Sequence, residues 1–281
     1  MKHARDHKHD FDFVLDRVKK KLAGWKANLL SMAGRVVLIH ASSSTIPNYV
    51  MQYAPLPSKI LKGIDRANRN FLWGTTNHVK KMHWVNWAKV TKPKETGGLG
   101  LQSAKGRSTA LLAKLNWRFQ TKKNAPWAKV LKFKYCIRQG INSRNEAKLP
   151  VSLVWKGMKR GEEVFKKGIK WIPGHESSLN YWSDCWSNIS PIRPHIQGPL
   201  PQASVNLQVK DVLSPFRWDW SNIPVVDRSS DKLAWKFSLR GDFDMRSAYR
   251  LVINSLGNES FSGSWIWKLP SLTRILKVQI A

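Results

Sequence analysis

Carboxylates, imidazoles and thiols carry most protein-catalysed chemistry, and in this chain their spacing argues against it. Phosphoryl transfer by paired metal ions needs converging carboxylates that hold the ions about 3.5–4 Å apart. The chain has no adjacent Asp-Asp pair. Asp211, Asp219, Asp227, Asp231, Asp242 and Asp244 stand at expected turns or helix starts, where capping accounts for them. A structural zinc site draws on closely spaced Cys/His pairs. Here there are two cysteines, Cys136 and Cys185, and no Cys-x-x-Cys. His3, His7 and His9 lie in a basic N-terminal tail, and His78 and His83 flank Val79-Lys80-Lys81-Met82; neither spacing is diagnostic of a metal site. Gly97, Gly98 and Gly100 lack the Lys-Ser/Thr that follows a phosphate-cradling loop, so a tight turn is expected instead. These residues imply no catalytic group, no metal and no cofactor.

What remains is binding. The chain of 281 residues carries 48 Lys and Arg against 18 Asp and Glu, a net charge of +30 spread along its length. Self-repulsion on that scale disfavours a compact state and calls for a polyanionic partner. Nucleic acid fits better than a membrane surface, because there is no basic amphipathic anchor and no apolar run long enough to span a bilayer. Backbone phosphates are bound by positive charge without sequence readout. The candidate contacts are Arg35, Lys59, Lys62, Arg66, Arg69, Lys80 and Lys81. Two cysteines suit a reducing intracellular compartment, nucleus or cytoplasm. Oligomeric state stays open.

The elements that must position these cations follow from periodicity. Residues 11–44 read mainly as helix, with Phe11, Val14, Val18, Leu22, Trp25 and Leu29 on one face. A second helix is expected from Ser58 as N-cap to Gly74, with Ile60, Leu61, Ile64, Ala67, Phe71 and Leu72 inward and Lys59, Lys62, Arg66 and Arg69 opposite. Trp84 to Val90 predicts a short helical element, 94–100 a turn, 103–121 a long helix and 126–136 another. Residues 137–150 read as a linker and 152–168 as a helix. Strands are expected at 170–172 and 179–182 around a turn at 173–176, and a hairpin at 233–245 feeding a helix at 246–255. The stretch 187–206 reads as irregular, and 209–213 as one helical turn. The fold class is α+β, a helical N-terminal half followed by a mixed C-terminal half. The expected organisation is a basic tail (1–10), a helical region (11–136), the linker, a Trp-rich mixed region (151–230) and a last segment (231–281). Most of the fifteen tryptophans are expected to anchor cores.

A set of short blocks then acquires meaning through its order. They read W-K-A-N-L-L-S-M-A-G-R-V (25–36), I-P-N-Y-V-M-Q (46–52), F-L-W-G (71–74) and V-N-W-A-K-V-T-K-P-K-E-T-G-G-L-G-L (85–101). L-L-A-K-L-N-W-R (111–118), W-A-K-V-L-K-F-K-Y (127–135) and Y-W-S-D-C-W (181–186) follow. The segment D-K-L-A-W-K-F-S-L-R-G-D-F-D-M-R-S-A-Y (231–249) fits the pattern D-x-x-x-W-x-x-x-x-x-G-x-F-x-x-x-S-A-Y. Across most of residues 10–270 the series resembles the reverse transcriptase and ribonuclease H open reading frame of plant LINE-type (non-LTR) retrotransposons. The resemblance implies the region after the polymerase core, running into the reverse transcriptase zinc-binding domain. It implies a thumb-like helical part that grips the template–primer duplex. The paired-aspartate motif of the polymerase would lie upstream, the ribonuclease H domain downstream, and the zinc ligands beyond Trp265-Ile266-Trp267-Lys268-Leu269-Pro270. The expectation is therefore a non-catalytic fragment of an RNA-directed DNA polymerase that contributes sequence-independent nucleic-acid binding. A non-functional retroelement remnant and a domesticated nucleic-acid-binding protein are the alternatives.

Overall fold

The computed structural model describes residues 11–24, 29–76, 79–137, 151–174, 177–186, 191–195, 197–199, 202–213 and 231–254. Helices α1 (Asp12–Ala23), α2 (Met32–Leu38), α3 (Asn48–Met51), α4 (Ser58–Trp73), α5 (Trp87–Val90), α6 (Ala104–Thr121) and α7 (Pro126–Lys132) come first. Helix α8 (Leu153–Gly168), strand β1 (Ile169–Ile172), α9 (Val209–Leu213), β2 (Lys232–Trp235) and α10 (Met245–Asn254) follow. The fold is α+β, as the residue pattern implied, with one small two-stranded sheet among the described residues.

Helix α6 organises the rest. Its Ala104, Leu111 and neighbours face a core built from Phe11, Val14, Val50, Met51, Leu56, Ile60 and Ile64, so α1, α3 and α4 share that side. Its Ala110 and Ala113 face a second core with Val164, Phe165, Trp235, Ala248, Tyr249 and Val252, which brings in α8, β2 and α10. A helix buried on two sides cannot keep a single apolar stripe, and small residues let its neighbours come close. At Gly161 of α8 an added Cβ would lie 2.4 Å from the Leu112 carbonyl carbon and 2.5 Å from the Ala113 nitrogen, so the two backbones nearly touch. Asn116 fastens the same seam by donating to the Met158 carbonyl at 2.7 Å. A third core joins Val18, Leu22, Ile39, Phe71, Leu72, Trp73, Val90 and Leu101.

The block from Asp231 to Tyr249 turns out to be packing and hydrogen-bonding machinery. Trp235 is fully buried, and Gly168 lies so close to its ring that no Cβ would fit. Gly241, at φ 74°, lets its carbonyl accept from the Trp235 backbone N–H at 2.7 Å. Phe243 packs on the indole with centroids 4.5 Å apart. The Tyr249 hydroxyl accepts from Ser103 N–H at 2.9 Å and reaches the Thr91 carbonyl at 3.3 Å, tying α10 to the start of α6.

Several local expectations are corrected. The first helix stops at Gly24, and Leu29 is exposed rather than inward; Trp25 lies outside the described residues. Ser58 is the first helical residue of α4, and Pro57 takes the N-cap position without a side-chain bond. Residues 179–182 form no strand with 170–172: Asn180 makes an isolated bridge to Gln208, and Tyr181 and Trp182 turn. Residues 243–245 do not return as a strand. Instead β2 pairs antiparallel with β1, Ile169 opposite Trp235 and Ile172 opposite Lys232. The linker expected at 137–150 falls almost wholly outside the described residues.

Candidate nucleic-acid interface

Helix α4 sets the geometry. Its buried face carries Ile60, Leu61, Ile64, Asn68, Phe71 and Leu72. At 100° per residue, the three- and four-residue steps from 59 to 62, 66 and 69 stay on the opposite side. Lys59, Lys62 and Arg66 are exposed and Arg69 is half-buried. With about 1.5 Å of rise per residue, the stripe runs about 15 Å along the helix.

An acid lies within that run without joining it. Asp65 turns inward, and its carboxylate accepts the Ala104 N–H at 2.9 Å, capping the N-terminus of α6 beside Ser103, which accepts from Gly106 at 3.2 Å. Burial raises the Asp65 pKa above the ordinary carboxylate value, and the Ala104 bond, the Trp87 indole and the Arg69 charge pull the other way. Lys59, Lys62 and Arg66 therefore keep their field toward solvent, while Arg69 also acts on Asp65.

The C-terminal end of α4 meets the loop holding Lys80 and Lys81. Gly74, at φ 70°, ends the helix. Thr75 then serves as a hub: its hydroxyl accepts from the Lys81 N–H at 3.4 Å and lies 3.3 Å from His83 Nε2. Thr76 and Val79 bond reciprocally at 2.9 and 3.1 Å. Lys80 is exposed and Lys81 half-buried. His83 stacks on Trp73 with centroids 6.4 Å apart, and partial burial followed by the nearby Arg69 charge holds its pKa below the ordinary imidazole value.

Arg35 is placed differently from the other six candidates. It is 4% exposed, its Nη1 donates to the Leu72 carbonyl at 3.1 Å, and burial lowers its pKa. An added Cβ on Gly74 would sit 2.8 Å from that Nη1. Arg35 is a buried cap for the end of α4, not part of the solvent-facing stripe.

Among the described residues, no group of three or more His, Cys, Asp or Glu could hold a metal ion, and no helix is long and apolar enough to cross a membrane. Three of the aspartates expected at turns or helix starts accept backbone N–H groups. Asp244 accepts from Ser247 N–H at 2.8 Å, Asp211 from Gln208 at 3.1 Å, and Asp231 from Gly174 at 3.0 Å. Asp219 and Asp227 lie outside the described residues.

The chain has relatives among plant proteins. A protein of Arabidopsis thaliana named "Putative ribonuclease H protein" is 35% identical over 268 residues, which cover 88% of this chain and 43% of the relative. An "Uncharacterized mitochondrial protein" of the same plant is 27% identical over 142 residues, 50% of this chain and 92% of the relative. These likenesses support a retrotransposon-related family. The chain spans less than half the length of the first of these relatives. No family model matches it, and no solved structure does.

Sequence reasoning passed over Tyr49, Tyr53, Arg118 and Trp127, which the fold gathers around one surface groove. The interleaving of aromatic and basic residues from 114 to 135 points to Arg118 and Trp127, whereas no charge pattern of that kind marks Tyr49 and Tyr53.

Proposed function

We propose that this chain is a non-catalytic part of a plant LINE-type reverse transcriptase and binds the phosphate backbone of a template–primer duplex without reading its sequence. The observation that carries this reading is the face of α4, where Lys59, Lys62 and Arg66 project to solvent while Asp65 is drawn inward by α6. Arg69 and the loop carrying Lys80 and Lys81 extend the same positive region. Such a surface neutralises phosphates and releases counterions, which gives affinity without base contacts. A thumb element of a polymerase needs the same property. By its resemblance, the block from Asp231 to Tyr249 is assigned to the region called reverse transcriptase zinc-binding, in which Trp235, Ser247 and Tyr249 act as packing and hydrogen-bonding groups.

Binding of an RNA–DNA hybrid duplex by the full chain across a salt series tests the reading. Affinity is expected to fall by about 10³-fold between 50 and 200 mM salt. Changing Lys59, Lys62, Arg66 and Arg69 to Glu is expected to weaken binding equally on unrelated sequences and to flatten the salt slope. Unchanged binding by a folded quadruple variant removes α4 from the interface.

A further inference from the structure

Away from the α4 stripe, three depressions run into one another along α6. The first, about 530 Å³, is lined by Tyr49, Tyr53, Leu115, Arg118, Trp127 and Val130, among others. A second, about 410 Å³, shares Gln52, Leu115 and Arg118 with it and adds Lys114, Trp117 and Lys122. A third, about 900 Å³, shares Trp117, Thr121 and Lys122 with the second and reaches Lys123, Trp171 and Lys232. The three depressions thus adjoin one another through shared lining residues and are taken together as one groove. Its walls alternate aromatic rings with cations, and its acids are Asp231, already accepting from Gly174 and Ser178, and Asp242.

Two features distinguish this groove from an ordinary seam between helices. Tyr49 is 78% exposed, with its ring set edge-on to Tyr53 at 6.1 Å, an open aromatic edge at the groove mouth. Arg118 lies over one face of the Trp127 ring, 5.8 Å from its centre, so a cation and a π-surface share one wall. An apolar peptide would gain nothing from the row of Lys114, Arg118, Lys122, Lys123 and Lys232. A single nucleic-acid strand uses both components, with phosphates along the cations and bases against the rings. A duplex cannot, because its bases are already stacked and paired.

We infer that this groove binds an unpaired nucleic-acid strand, with Tyr49 and Trp127 as stacking platforms and Lys114, Arg118 and Lys122 as backbone contacts. The inference rests on the nucleic-acid reading above and extends it to a second site with a different substrate form. The residues along α6 that line the second depression, Leu111 to Lys122, span about 16 Å, room for about five nucleotides at roughly 3.4 Å per nucleotide along a stacked strand.

The test uses the full chain and a single-stranded oligothymidylate carrying one 2-aminopurine, whose fluorescence is quenched on stacking. Binding is expected to quench the probe. Tyr49→Ala should weaken single-strand affinity on the order of 10-fold and restore fluorescence, while Tyr49→Phe keeps both affinity and quenching. Trp127→Phe, which keeps a ring beside Arg118, should be milder than Tyr49→Ala, and neither should change hybrid-duplex affinity. Charge reversal on α4 should do the opposite, weakening the duplex and sparing the single strand. Duplex binding that persists while the oligothymidylate fails to bind, or binds with no response to Tyr49→Ala, overturns this inference alone. An amphipathic apolar peptide that binds the groove and is indifferent to salt overturns it as well. Loss of both single-strand and duplex binding in the folded wild-type chain overturns the broader reading with it.

Discussion

The indole N–H of Trp235 donates to the hydroxyl of Ser247 at 2.8 Å, and that hydroxyl in turn lies 3.0 Å from the Asp244 carbonyl it donates to. One serine thus satisfies a fully buried tryptophan and anchors the first turn of α10. Replacing Ser247 with Ala leaves a buried N–H without a partner, which costs about 1–3 kcal/mol. Urea unfolding of Ser247→Ala should show that loss. In a double-mutant cycle with Trp235→Phe the two costs should not add, because the donor is then already gone. Additive losses would mean the bond contributes nothing.

The close approach of α8 to α6 makes a second, steeper prediction. A methyl group at residue 161 would meet main-chain atoms of Leu112 and Ala113, and main chain cannot step aside as a flexible side chain can. Gly161→Ala should therefore destabilise the fold by about 1–3 kcal/mol through overpacking, despite the better helix propensity of Ala. Gly24→Ala provides the contrast, since a Cβ there meets nothing closer than 3.6 Å. Thermal melts of the two variants should separate clearly.

How much of this architecture was legible depended on the range of the signal. Helices α4 and α8 were readable because a 3.6-residue period repeats over several turns and Gly74 and Gly168 mark their ends. The pairing of β1 with β2 was not, because each strand is four residues long and its partner is remote in sequence. A local reading joins neighbouring strands into hairpins, and here two separate hairpins were expected where one long-range pair forms. The stripe of Lys59, Lys62, Arg66 and Arg69 was visible as the complement of an apolar face. The groove was less visible, because its walls come from α3, α6, α7, α8, β1 and β2, whose meeting depends on tertiary packing.

Asp244 gives a prediction in pH. Burial alone would raise its pKa, but the N–H groups of Ser247 and Arg246 together with the local charge hold it below the ordinary value. A carboxyl depressed on folding adds stability above its unfolded pKa, and that stability is lost as pH falls through the folded value. Asp244→Ala should cost about 1 kcal/mol at neutral pH, and the gap from wild type should begin to narrow as pH falls below about 4. Asp244→Asn keeps a capping oxygen without a titrating group, so its stability should not show this pH dependence. Chemical denaturation at pH 7 and pH 3 distinguishes the three proteins.

Arg35 separates charge that holds the fold from charge that faces a ligand. Its guanidinium is buried against the Leu72 carbonyl at the end of α4, in contact with Gly74. Removing it takes away a charge-assisted hydrogen bond, with an expected loss of about 1.5–3 kcal/mol. Lys62→Ala, on the exposed face, should stay within about 0.5 kcal/mol of wild type. Nucleic-acid binding should rank the two in the reverse order. At matched folded fractions, Arg35→Ala should keep the wild-type affinity and salt slope, whereas Lys62→Ala should lower the slope by about one phosphate contact. A stable Arg35→Ala protein that binds hybrid duplex weakly would return this arginine to the interface and require the end of α4 to open when the duplex binds.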